Sequence, residues 1–191
     1  MSVVVAIKEN GKIYMGSDSQ TTRGSSKNTL KCQNNYKIWK IKNTNHCLMG
    51  HTGVCRNSNV IRLIDDFVET NEEIDFELVV KKIVPRIVDE LMKYKYLDSE
   101  HIIEDIESRF LLAYKDRLFI ISHDCSVIEI ADYCAIGSGE DCAISVLSTT
   151  EGEDPKSRII MAIESSAKND LYVGKPIIIS DTENTEFEII S

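Results

Sequence analysis

Ser2–Gln20, SVVVAIKENGKIYMGSDSQ, carries the reading of the architecture. Val3–Ile7 is a short apolar, mostly β-branched run, the pattern of a strand. Asn10-Gly11 is the dipeptide of a two-residue hairpin turn, because both positions tolerate positive φ. Ile13–Ser17 then returns as the partner strand, and Gly16-Ser17-Asp18-Ser19-Gln20 ends it, leaving Asp18 near the end of the sheet. Outward from this hairpin, Gln20–Asn35 is rich in Thr, Ser, Lys and Asn and reads as a loop with some extended structure. Tyr36–Ile41 is strand-like, Asn43–Asn45 is a turn, and His46–Gly50 is a further strand.

The period then changes. Val60, Leu63, Ile64, Phe67 and Val68 recur at helical spacing, and a second helical stretch runs from about Asp75 to Tyr96, with a kink or an interruption expected because Pro85 sits inside it. Asn71–Glu73 reads as a solvated turn between the two helices. Phe110–Tyr114, Leu118–Ser122, Val127–Ile130 and Tyr133–Ile136 return to strand character. Gly137-Ser138-Gly139 breaks the last of these, and a helix is expected over Glu140–Ser148. Asp154-Pro155 caps and starts another, carried by Ile159, Ile160, Ala162, Ile163 and Ala167. Ile177–Ile179 and Glu186–Ile190 close the chain as strands. Antiparallel strands in two groups with helices in pairs predict an α+β, four-layer αββα sandwich: two antiparallel sheets flanked by helix pairs.

The chain has 191 residues, 22 Lys+Arg against 31 Asp+Glu, and a net charge of −9. This length suits one domain spanning 1–191 with a substantial core. The acidic balance argues against a nucleic-acid binder. No run approaches the length of a membrane helix, and the N-terminus lacks the apolar stretch of an export signal. A cytoplasmic protein with reduced thiols is expected, so Cys32, Cys47, Cys55, Cys125, Cys134 and Cys142 read mostly as small buried hydrophobes. Neither CxxC nor HExxH occurs, so the spacing offers no zinc site.

Ser2 is the leading chemical candidate. Removal of Met1 would leave a hydroxyl and a free α-amine on one residue. An α-amine has a pKa of about 7.7–8, so near neutral pH it can take the hydroxyl proton without a histidine. The strand that follows would anchor this terminus in a sheet. A lysine nearby would favour the ionised hydroxyl, and an aspartate beside that lysine would keep it charged; Lys37 and Asp18 are candidates. His51 and His123 could each act as a base, but no GxSxG motif accompanies them, so both read as loop or pocket histidines. Gly137-Ser138-Gly139 misses the third glycine of a dinucleotide fingerprint.

NGKIYMGSDSQTTRGS (10–25), TLKCQNNYKIWKI (29–41), LMGHTGV (48–54), AIGSG (135–139) and SSAKNDLYVGKPI (165–177) occur in that order. Together they resemble the proteasome β-subunit family of N-terminal-nucleophile hydrolases, and most closely its bacterial members that work with an ATP-dependent unfoldase. The resemblance implies Ser2 as nucleophile, Asp18 and Lys37 as the supporting acid and lysine, the Gly53 amide near the oxyanion, Ser138 near the nucleophile's amine, and Asp170 as a second acid. It implies Thr22, Gly50 and Thr52 along the substrate. It further implies a homo-oligomeric ring (hexamer or heptamer, single or stacked), an ATP-dependent unfoldase partner, peptide or unfolded-protein substrates, and no cofactor beyond a monovalent cation near the Asp170 loop.

The departures are a serine in place of threonine, which lacks the methyl that fixes the rotamer, Val173 where some members have serine, Arg56-Asn57 in place of Ala-Asp, and an insertion at Ser26–Lys31. Two rival readings remain: a small-molecule amidase with the same terminal chemistry, and a non-catalytic ring subunit. Members of the latter type carry an extra helix ahead of the first strand, for which this chain has no residues.

Overall fold

A computed structural model describes residues 2–65, 67–68, 72–94, 105–184 and 186–191. The elements run β1 (Val3–Glu9), β2 (Lys12–Ser17), β3 (Gln20–Arg23), β4 (Ser26–Thr29), β5 (Ile38–Lys40), β6 (Cys47–Gly53), α1 (Cys55–Ile61), α2 (Phe76–Leu78), α3 (Val84–Lys93), β7 (Ser108–Tyr114), β8 (Arg117–Ile121), β9 (Val127–Ile130), β10 (Tyr133–Gly137), α4 (Glu140–Thr149), α5 (Pro155–Asn169), β11 (Ile177–Asp181) and β12 (Glu188–Ile190). One five-stranded sheet has the order β10-β1-β2-β11-β12 and the other β5-β6-β7-β8-β9, with every pairing antiparallel.

The layers follow from side-chain alternation. Strand side chains point to opposite faces in turn. In β1, Val4 and Ala6 enter the core between the sheets, against Met15, Leu48 and Leu111. Val3, Val5 and Ile7 face the other way and pack on Ala143, Leu147, Ile159 and Ile163 of α4 and α5. A strand buried on both faces has no polar side, which is why Val3–Ile7 reads as a continuous apolar run. On the far side of the second sheet, Met49, Phe110, Leu112 and Phe119 pack on Ile83, Ile87 and Leu91. Three apolar interfaces separate four layers, which is the expected αββα sandwich.

The turns follow local chemistry. Asn10 and Gly11 take φ of 55° and 75°, as the hairpin requires. Asp154 caps α5 by accepting from Ser157 N at 2.9 Å, with Pro155 in the first turn.

One expectation is corrected and two are made specific. The extended structure expected within Gln20–Asn35 is a hairpin of β3 and β4, which includes the Ser26–Thr29 part of the insertion, and Gln33–Asn35 forms a 3-10 turn. A hairpin whose outer strand is wholly exposed carries no apolar alternation to betray it. The helical period from Val60 to Val68 does not hold as a helix. α1 ends at Ile61, and Ile64, Phe67 and Val68 are buried from turns while Leu63 is 65% exposed. The expected interruption of the stretch from Asp75 lies ahead of the proline: α2 runs into a π-helical segment at Val79–Ile83 before α3, with Pro85 in the first turn of α3. The extra residue per turn of the π segment re-phases the apolar face ahead of the proline. Asn71 and Tyr96 lie outside the described residues. The cysteines also divide. Cys47 and Cys134 are buried, whereas Cys32 and Cys55 are exposed, and all six are free thiols. Burial raises both buried thiols, Cys134 to about 12.

Candidate active site

Ser2 sits at the head of β1, 6% exposed, where the first sheet meets the turn after β10. Its backbone nitrogen donates to Ser138 Oγ at 3.1 Å, and its carbonyl accepts from Gly139 N at 3.3 Å. Gly137 makes this close approach possible: its φ is +107°, and a Cβ there would lie 2.2 Å from the Ser2 carbonyl oxygen. Gly137→Ala is therefore expected to cost about 1–3 kcal/mol of stability and to shift Ser2. Thermal melting and peptide turnover on the variant check both effects.

Asp18 follows β2 directly and is fully buried. Its Oδ1 accepts from Val3 N at 3.0 Å and from Lys37 Nζ at 2.6 Å. Its Oδ2 accepts from Gln20 N at 3.0 Å and Gly174 N at 3.1 Å. These four partners of the carboxylate are all donors, two of them, Lys37 and Gly174, distant along the chain. Lys37 lies one residue ahead of β5, 8% exposed, and also donates to Gln20 O at 2.5 Å. Burial lowers its pKa from the usual lysine range, and the Asp18 carboxylate opposes that shift. The pair is a buried, hydrogen-bonded ammonium beside the start of β1.

Gly53 ends β6 with φ +121°, where a Cβ would meet Glu107 O at 2.4 Å. His51 N donates across to Lys37 O at 2.9 Å. N–H directions alternate along a strand, so Gly53 N–H points the same way as His51 N–H. It emerges past the first residue of β5, on the side of a cavity of about 270 Å³ lined by Ser2, Thr22, Lys37, His51 and Gly53 among others. Gly50 and Thr52 lie elsewhere. A Cβ at Gly50 would meet Val4 at 2.7 Å between the sheets, and the Thr52 methyl packs near Gly137. Asp170 caps α5 and accepts from Tyr172 N at 2.8 Å through Oδ1. Its Oδ2 is buried with no hydrogen-bond partner, and its charge acts on Lys37 from outside the cavity wall. Among the described residues no group of three or more His, Cys, Asp or Glu is placed to hold a metal ion.

His51 is 4% exposed, and its Nε2 lies 3.1 Å from Ser108 Oγ. Burial, with Arg62 and Lys37 nearby, lowers it to about 3. Burial that disfavours the protonated ring argues against a role as the base. His123 sits on the β8–β9 turn, 3.3 Å from Asp105. The residues that sequence reasoning did not single out are Gln20 and Gly174, which bind Asp18 through their amides. Backbone donors have no side-chain signature.

The layered sandwich, with its buried acid and lysine beside the head of the first strand, is the architecture of the N-terminal-nucleophile peptidases. Residues 2–180 match the family described as "Proteasome subunit", and the chain belongs to that family. Over 187 residues it is 28% identical to the ATP-dependent protease subunit HslV of Borreliella burgdorferi, covering 96% of this chain and 97% of that one. Among solved structures, Thiobacillus denitrificans BPH in complex with epoxomicin superimposes with a TM-score of 0.76 at 18% identity, covering 99% of both chains. HslV from Trypanosoma brucei gives 0.70 at 14% identity, covering 94% of this chain and 98% of that one. No described helix is long and apolar enough to cross a membrane.

Proposed function

We propose that this chain is an endopeptidase subunit whose nucleophile is Ser2, exposed by removal of Met1. The observation that carries the reading is the Asp18 carboxylate, which ties the Val3 amide and the Lys37 ammonium into one buried cluster beside Ser2. The freed α-amine takes the Ser2 hydroxyl proton, and Oγ attacks the scissile carbonyl carbon. Lys37, held by Asp18, favours the ionised oxygen. Ser138 Oγ, already bonded to the Ser2 nitrogen, orients that nitrogen. The Gly53 N–H receives the tetrahedral oxyanion, an interaction worth about 3–4 kcal/mol in comparable sites. The protonated amine then returns its proton to the departing amine, leaving an ester on Ser2. Water attacks that ester, with the α-amine again as base, and releases the acid.

Lining Thr22 and the exposed walls of the cleft take the substrate backbone. A monovalent cation, where bound, would sit on Asp170 Oδ2 and steady the loop ahead of Gly174; no step runs through it. The relatives named as ATP-dependent protease subunits support a subunit of an ATP-coupled assembly; its proposed form is a homo-oligomeric ring fed by an ATP-dependent unfoldase in the cytoplasm. Intact mass of natively expressed chain, with and without a β-lactone, tests the reading. The expected result is loss of Met1 and one acyl adduct per chain at Ser2. Retained Met1 with no adduct defeats it.

A further inference from the structure

The cavity beside Ser2 has a wall whose chemistry is not used by the hydrolytic steps. Beyond Lys37 and Gly53 it is formed by Asn35, Tyr36, His51, Cys55, Ser58 and Asn59, and no carboxylate lines it. At about 270 Å³ it is smaller than the clefts of roughly 300 Å³ and above that take whole small ligands, and suits one side chain. His51 is locked in place. Asn57 Nδ2 donates to Ser108 Oγ at 2.8 Å and to Ile106 O at 2.7 Å. Among the described contacts of Ser108 Oγ, which accepts from Asn57, His51 Nε2 at 3.1 Å is the one acceptor open to its proton. With that proton directed at Nε2, the neutral imidazole assigned to His51, which lines the cavity, carries its own proton on Nδ1.

The charges decide what this donor receives. A cationic side chain would enter a wall without Asp or Glu, next to the Lys37 ammonium. A carboxylate would compete with Asp18 and the ionised Ser2 oxygen for Lys37, and Arg62 donates to the Asn34 and Tyr36 carbonyls while stacking on Trp39. Burial of an unpaired charge is costly. An aliphatic side chain would cover His51 and leave its N–H without a partner. We infer that the cavity selects a neutral carboxamide side chain, glutamine or asparagine, on the residue whose carbonyl is attacked, with His51 as the specificity-determining donor and the Asn59 amide as its second contact. The inference rests on the peptidase reading above.

The test uses the full chain in its native assembly and four fluorogenic peptides that differ only at that residue: Gln, Leu, Glu or Lys. The expected result is kcat/KM for Gln at least about tenfold above each of the others. His51→Leu is expected to lower the Gln value about tenfold and raise the Leu value, erasing the preference. Asn59 is exposed, so Asn59→Ala should fold normally, and it is expected to narrow the Gln-to-Leu ratio. A Leu, Glu or Lys peptide cut as well as Gln by the native chain overturns the inference, as does a Gln-to-Leu ratio that neither variant alters. Labelling of Ser2 by a β-lactone alongside such a result leaves the peptidase reading standing and removes the specificity alone. No cleavage of any peptide together with no labelling removes both.

Discussion

Ser2→Ala is expected to abolish peptide hydrolysis, with kcat down on the order of 10⁴-fold or more, by analogy with loss of a serine nucleophile elsewhere. The variant keeps the backbone contacts that hold this position: its nitrogen still reaches Ser138 Oγ and its carbonyl still meets Gly139 N. The chain should therefore fold and melt close to the parent, so the loss is assigned to the missing hydroxyl. Ser2→Thr restores that hydroxyl and adds a methyl that limits the rotamers; turnover within about tenfold of the parent is the expected outcome. Steady-state kinetics on both variants, with circular-dichroism melts as the folding control, decide the matter. Turnover that survives in Ser2→Ala would sink the mechanism.

Asp18→Asn is expected to be among the most damaging conservative changes in the protein. The carboxylate accepts from Val3 N, Lys37 Nζ, Gln20 N and Gly174 N, at 2.6 to 3.1 Å. An amide offers one acceptor oxygen and one NH₂. Whichever way it turns, the NH₂ faces donors, and the buried Lys37 ammonium loses its counter-charge. Removing one partner of a buried ion pair costs about 3–5 kcal/mol. The expected result is an unfolding free energy, extrapolated from urea titration, lowered by that amount, with kcat reduced at temperatures where the variant is still folded. Because Asp18 joins β1, the β3 start and the Gly174 loop, the loss should spread to Ser2 itself. An unfolding free energy within about 1 kcal/mol of the parent would mean that Asp18 does not tie these segments together.

Much of this fold is legible in local sequence. The Asn10-Gly11 turn, the Asp154-Pro155 cap and the doubly buried run Val3–Ile7 each carry their signal within a few residues. The polar hairpin Gln20–Thr29 and the π segment at Val79–Ile83 do not. One has no apolar face to impose a period, and the other only re-phases a helix that the apolar pattern already suggests. In the site, Ser2, Asp18 and Lys37 could be singled out by residue type and by their position at strand ends.

Their meeting is a different matter. Asp18 and Gly174 are 156 positions apart, and Asp18 and Lys37 are 19 apart. Strand register brings them together, and register depends on how whole apolar faces pack. The same holds for His51: its letter says nothing of Ser108, 57 positions on, which takes up one of its ring nitrogens. Short-range periodicity and turn chemistry, written in neighbouring residues, specified the strands, their hairpins and the candidate groups. The buried donor-acceptor cluster and the walls of the cavity arose from the packing of two sheets, because a hydrogen bond between distant residues exists only once the burial of both faces has fixed where each strand lies.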